Sequence, residues 1–79
     1  MASSPQRGDV IVRSKYAVAF DLLEAEGQWI VGPFKTATAA VARAHIEANG
    51  AAIWSQRVDH CGSALTPPEL MVPRQRGTV

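Results

Sequence analysis

Apolar and polar positions alternate over residues 15–22, with Tyr16, Val18, Phe20 and Leu22 on one face and Lys15, Ala17, Ala19 and Asp21 on the other. A period of two is the mark of a half-buried strand. Glu24-Ala-Glu-Gly27 comes next, its glycine suited to the positive-φ position of a four-residue hairpin loop. Residues 28–32 are predicted to return as the second strand, with Trp29 and Val31 on the same side as Phe20. Gly32-Pro33 is predicted to end it, because proline has no amide to donate to a ladder. The run Asp9-Val-Ile-Val-Arg13 predicts a further strand. Residues 51–58 alternate again, with Ala52, Trp54, Gln56 and Val58 set against Ile53, Ser55 and Arg57.

Between the two alternating regions the period changes. Residues 36–48 are rich in alanine, the best helix former; Thr36 is an N-cap residue and Asn49-Gly50 a C-terminal stop. At about 100° per residue Val41, Ala42, His45 and Ile46 sweep one side, while Arg43 and Glu47 mark the other beside Ala40 and Ala44. Small alanines let such a helix lie close on a sheet. The expected fold is α+β: a small antiparallel-type sheet in (β)ββαβ order with one alanine-rich helix on one face. The last strand is expected beside the first hairpin strand and antiparallel to it. One helix covers one face only, so Leu23, Ile30, Ile53 or Trp54 on the other face would need the tail or a second copy to cover them.

Composition divides the chain into a polar leader over residues 1–8, a single domain over 9–60 and a proline-containing tail over 61–79. Pro67, Pro68 and Pro73 exclude a regular helix or a central strand from the tail, although Leu65, Leu70, Met71 and Val72 can tack it to the body. Apolar residues make up 47% of the 79, enough for collapse, but a chain this short has a marginal core. A single cysteine excludes an internal disulfide. The absence of a long apolar run, and of an apolar stretch behind the first residues, leads to the expectation of a cytoplasmic protein without membrane contact.

The formal charge of +1 hides an uneven distribution. Residues 15–60 hold four basic groups (Lys15, Lys35, Arg43, Arg57) against five acidic ones (Asp21, Glu24, Glu26, Glu47, Asp59), and Arg7, Arg13, Arg74 and Arg76 lie at the ends. This lacks the concentrated basic footprint of a nucleic-acid binder. Asp59-His60-Cys61 places a thiol beside an imidazole, but neighbours on a strand point to opposite faces. The expectation is a strand end with a half-exposed histidine and a small buried thiol. His45, expected to pack partly on the sheet, has no ligand partner at the next helical turn, and no metal or cofactor is expected. No glycine-rich phosphate loop is present.

The stretch Gln28-Trp-Ile-Val-Gly-Pro-Phe-Lys-Thr36 leading into an alanine-rich helix resembles hairpin-into-helix modules of small phage and mobile-element accessory proteins. The resemblance covers about residues 16–58 and carries no site residue with it. It implies a non-enzymatic protein that docks on a host macromolecule, as anti-CRISPR and transcription inhibitors do. The expected function is therefore a protein-binding module, a homodimer, acting by steric occlusion of a partner. Trp29, Trp54 and Arg57 are its candidate anchors, since aromatic and arginine residues dominate interface energetics, with Asp21, Glu24 and Glu26 as an acidic rim. The alternative is a weak nucleic-acid-binding regulator using Lys15, Lys35, Arg43 and the C-terminal arginines. A Cys/His hydrolase built on His60 and Cys61 stands third.

Overall fold

Val10-Ile-Val12 is apolar at three successive positions, which suits a strand covered on both faces rather than one. A computed structural model of the chain describes residues 4–16 and 18–74 and gives that run the central place. Ala17 of the expected alternation, residues 1–3 of the leader and Arg76 of the basic tail lie outside the described residues. The elements are β1 (Val10–Lys15), β2 (Ala19–Glu24), β3 (Trp29–Phe34), α1 (Ala37–Ala48), β4 (Ile53–Val58) and β5 (Glu69–Val72). They form one sheet in the order β3-β2-β1-β4-β5 with a single helix, a small α+β fold. The sheet is mixed: β1 runs parallel to β4, and the other three pairings are antiparallel. This corrects the expected place of β4. It does not lie beside the first hairpin strand, because β1, apolar on both faces, takes the position between them.

The alternation over residues 15–22 runs through a turn. Tyr16 and Val18 are 63% and 66% exposed and link β1 to β2, with the Val18 amide donating to the Lys15 carbonyl. Tyr16 has φ +57°, a left-handed conformation costing a bulky residue on the order of 1–3 kcal/mol. The β2–β3 turn matches expectation, with Gly27 at φ +98°. Pro33 does not end β3. The strand lies at the sheet edge, where a missing amide is tolerated, and pairing resumes at Phe34 opposite Phe20. Gly32 makes this passage possible: a Cβ there would stand 2.6 Å from Asp21 Oδ1. A register shift opposite Leu22 brings both Ile30 and Val31 against the helix-side core, as a β-bulge does. Trp29 instead pairs with Leu23 on the opposite face, not with the side of Phe20.

Thr36 caps α1 as its sequence suggests, its Oγ1 accepting from the Ala39 amide at 3.2 Å, and Asn49 closes it in the left-handed region. The alanines make the close contact that their size suggests, but His45 does not pack on the sheet as expected. Ala40, Ala44 and Ala48, one turn apart, are the buried residues, while His45 is exposed and Ile46 is 70% exposed. The reason is steric. Methyl side chains let the helix settle onto Val10, Val12, Phe20, Leu22 and Ile53, which already fill the space.

The other face carries Ile11, Leu23, Ala52 and Trp54, all buried. Ile30 and Ile53, also expected there, belong to the helix side. One lateral row crosses all five strands on this face, Trp29–Leu23–Ile11–Trp54–Leu70. Around Trp54 it is bordered by leader residues Ser4 and Gln6 and by tail residues Pro68, Pro73 and Arg74. Burial of this cluster therefore requires no second copy. Asp9, 3% exposed, ties these segments together. Its Oδ1 accepts from the Ala52 amide (3.1 Å) and Arg74 Nη2 (2.6 Å), and its Oδ2 from the Gln6 amide (2.9 Å) and Trp54 Nε1 (3.0 Å). Among the described residues no buried side-chain nitrogen or oxygen lacks a partner.

Two stability measurements check this packing. Ala44→Leu forces a branched side chain between helix and sheet and is expected to lower unfolding free energy in urea by ~1–3 kcal/mol, whereas Ile46→Ala changes it by less than ~0.5 kcal/mol. Asp9→Ala strands the Ala52 and Trp54 donors and is expected to cost ~3 kcal/mol, while Arg74→Ala, which leaves three donors on the carboxylate, costs ~1 kcal/mol. Equal losses for the last two variants would contradict the central role of the carboxylate.

Candidate functional site

The end of the sheet where β1 begins and β2 finishes collects acidic side chains. Val10 pairs with Glu24, the β2–β3 turn carries Glu26, and the last turn of α1 brings Glu47 to the same end. Together with Arg7 these residues line a recess of about 550 Å³, walled on its apolar side by Val10 and Ile30. The three carboxylates are not equivalent. Glu47 Oε2 accepts from Arg43 Nε at 2.8 Å, one turn back along the helix. Glu24 and Glu26 are exposed and take part in no ion pair among the described residues. The turn itself is held by the backbone, the Glu24 amide donating to the Gln28 carbonyl and the Gly27 amide to the Glu24 carbonyl, each at 2.8 Å. Two negative charges thus stand on a fixed turn above an apolar wall, an arrangement that attracts a cation carried on an alkyl stem.

The residues singled out from the sequence are dispersed. Trp29 is 58% exposed and belongs to the same hairpin as Glu24 and Glu26, but on its other face. Trp54 is 6% exposed, with its indole nitrogen committed to Asp9, so it serves the core and offers no free ring to a partner. Asp21 stands away from the tip, opposite Arg13 on β1, with Arg13 Nη2 3.6 Å from its Oδ2. Arg57 lies on the helix-side face at the far end of β4, exposed. Glu47 and Arg7 were missed as members of the acidic recess. Glu47 is 21 residues beyond Glu26, and only the packing of α1 brings them together. The one available sign was its place in the last helical turn, before a strand returning to the same end of the sheet.

Among the described residues no hydrogen bond joins the His60 imidazole to the Cys61 thiol. Asp59 Oδ1 accepts from the Cys61 and Ser63 amides at 2.9 Å each, closing a surface turn. Cys61 is exposed rather than buried, because that turn projects it outward, and His60 is exposed as well. Among the described residues no group of three or more His, Cys, Asp or Glu side chains is arranged to hold a metal ion. Nor is any helix there long and apolar enough to cross a membrane.

The contrast between the tryptophans is open to direct measurement. In the Trp29→Phe variant the remaining emission comes from Trp54 and is expected to be blue-shifted and several-fold less quenched by acrylamide than the wild-type average. Unchanged quenching would mean that Trp54 is not shielded. Comparison with protein-family models, with curated protein sequences and with solved structures finds no match to this chain, so its functional reading rests on the chemistry of the two sheet ends.

Proposed function

We propose that this chain is a non-enzymatic protein-binding module that receives a lysine or arginine side chain of its partner in the Glu24–Glu26–Glu47 recess and acts by occluding the surface it engages. The observation that carries this reading is the convergence of those three carboxylates on one recess with an apolar wall. A basic side chain lays its methylene stem along Val10 and Ile30 while its head makes charge-assisted hydrogen bonds with Glu24 and Glu26. Trp29, exposed on the other face of the same hairpin, supplies the large amphipathic contact typical of interface anchors. Arg7 also lines the recess. Inhibition of a host complex, in the manner of phage accessory proteins, is one form such occlusion takes.

A nucleic-acid regulator is less well supported by the same geometry. Arg43 is engaged with Glu47 and Arg74 with Asp9, which removes two of the cations that reading relied on. The test is calorimetric titration with a lysine- and arginine-rich peptide, an acidic peptide of equal length and random duplex DNA. Expected is binding to the basic peptide alone, weakening with salt and falling about tenfold in the Glu24→Gln/Glu26→Gln variant. Duplex binding that is tighter than peptide binding and indifferent to those substitutions would overturn the reading.

A further inference from the structure

The opposite end of the molecule has the reverse chemistry. On the helix-side face a lateral row runs Phe34–Phe20–Ser14–Arg57 across β3, β2, β1 and β4. Where that row meets the loop after β4, a second recess of about 280 Å³ is lined by Ser14, Tyr16, Phe20, Arg57, Val58 and Leu65. Phe20 is buried at its base, Val58 is buried where β4 ends, and the exposed Leu65 and Tyr16 stand at its margin. No acidic side chain lines it. Asp59, next in sequence to Val58, has its Oδ1 occupied by the Cys61 and Ser63 amides.

Arg57 is held in place by its backbone alone. Its amide donates to Thr66 Oγ1 at 3.2 Å, and its carbonyl accepts from the Leu65 amide at 2.7 Å. Its guanidinium makes no hydrogen bond or ion pair among the described residues. Lys15, opposite Val58 in the β1–β4 register, is a second cation at this end without an ion pair among the described residues. An unpaired guanidinium beside an apolar recess suits an apolar group that ends in a carboxylate, which arginine accepts through two parallel hydrogen bonds.

We propose that this recess binds the carboxy-terminal residue of a peptide ending in an apolar side chain, with the terminal carboxylate on Arg57 and the side chain against Phe20 and Leu65. The peptide source follows from the shape of the site. A phosphate backbone would need several cations in line and would leave the apolar lining unused.

Amide proton–nitrogen NMR spectra of the full chain provide the test, with N-acetyl-leucine, its carboxamide and a short peptide ending in free leucine as probes. Expected are saturable shifts at Ser14, Tyr16, Arg57 and Leu65 for both free acids, tighter for the peptide, with Kd of the order of 1 mM or below. The carboxamide and the Arg57→Gln variant should each bind at least about tenfold more weakly, the variant's spectrum otherwise remaining that of the folded chain. Equal response to acid and carboxamide, undiminished binding by Arg57→Gln, no saturable shift, or the same amides responding more strongly to a single-stranded oligonucleotide would each overturn the proposal.

Discussion

A carboxylate buried in a small domain is costly unless nearly every lone pair finds a donor, and Asp9 finds four. The four donors come from three separate stretches: the leader at Gln6, the start of β4 at Ala52 and Trp54, and the tail at Arg74. The last of these lies 65 residues away in sequence. One side chain therefore fixes where the chain enters the sheet, how β4 is set beside β1, and where the tail lies after β5. The arrangement also accounts for a tryptophan on a face that no helix covers: the indole N–H needs an acceptor when buried, and Asp9 supplies it. Apolar burial alone is satisfied by many lateral placements of these strands. A carboxylate that must meet specific donors is satisfied by very few.

With Gln6 and Arg74 tied at Asp9, the single helix is sufficient cover for the other face. Its contact surface is an alanine stripe, so the side chains of β1, β2 and β4 supply most of the core volume. The larger helical side chains, Ile46 and the Arg43–Glu47 pair, are left outward or at the margin. Glu47 then reaches the end of the sheet where Glu24 and Glu26 stand, and the N-terminus of α1 falls at the end that holds Arg57. The close seat of the helix is thus what brings Glu47 into the acidic recess.

Much of this was legible in the sequence, and the rest failed for identifiable reasons. Thr36, Asn49, Gly27 and the alternation of Ile53 to Val58 act through neighbours within a few residues, and each element they mark is present. The alternation through Tyr16 and Val18 misled because apolar side chains continue across a turn that only the backbone conformation of Tyr16 reveals. The place of β4, the edge strand β5 and the role of Asp9 depend on partners tens of residues away, which no local pattern encodes. The mark that could have placed β1 was available: three adjacent apolar residues imply cover on both sides, hence a central strand. At the functional sites, Glu24 and Glu26 were legible as a tip but Glu47 was not, and Trp54 read as an anchor because burial cannot be told from exposure by residue type.

The distribution of charge along the helix axis bears on why the two ends are as they are. A helix carries about half a positive charge at its N-terminus and half a negative charge at its C-terminus. Here Lys35 directly precedes the N-cap, the first turn has no acidic residue, and Glu47 occupies the last turn at the end shared with Glu24 and Glu26. Lys35 and Glu47 each set a side chain against the dipole at a cost of ~0.3–1 kcal/mol, partly relieved for Glu47 by Arg43, with the basic residue His45 also in the last turn. A sequence shaped for stability alone would exchange them, and a domain of this size has little stability to spare. What the arrangement gains is field: helix dipole and side chains add rather than cancel, so one end is more negative and the other more positive than the formal charge of +1 suggests. Charges that oppose folding and reinforce each other at opposite ends do not serve the fold, and the proposed binding of oppositely charged groups there draws on the field they create.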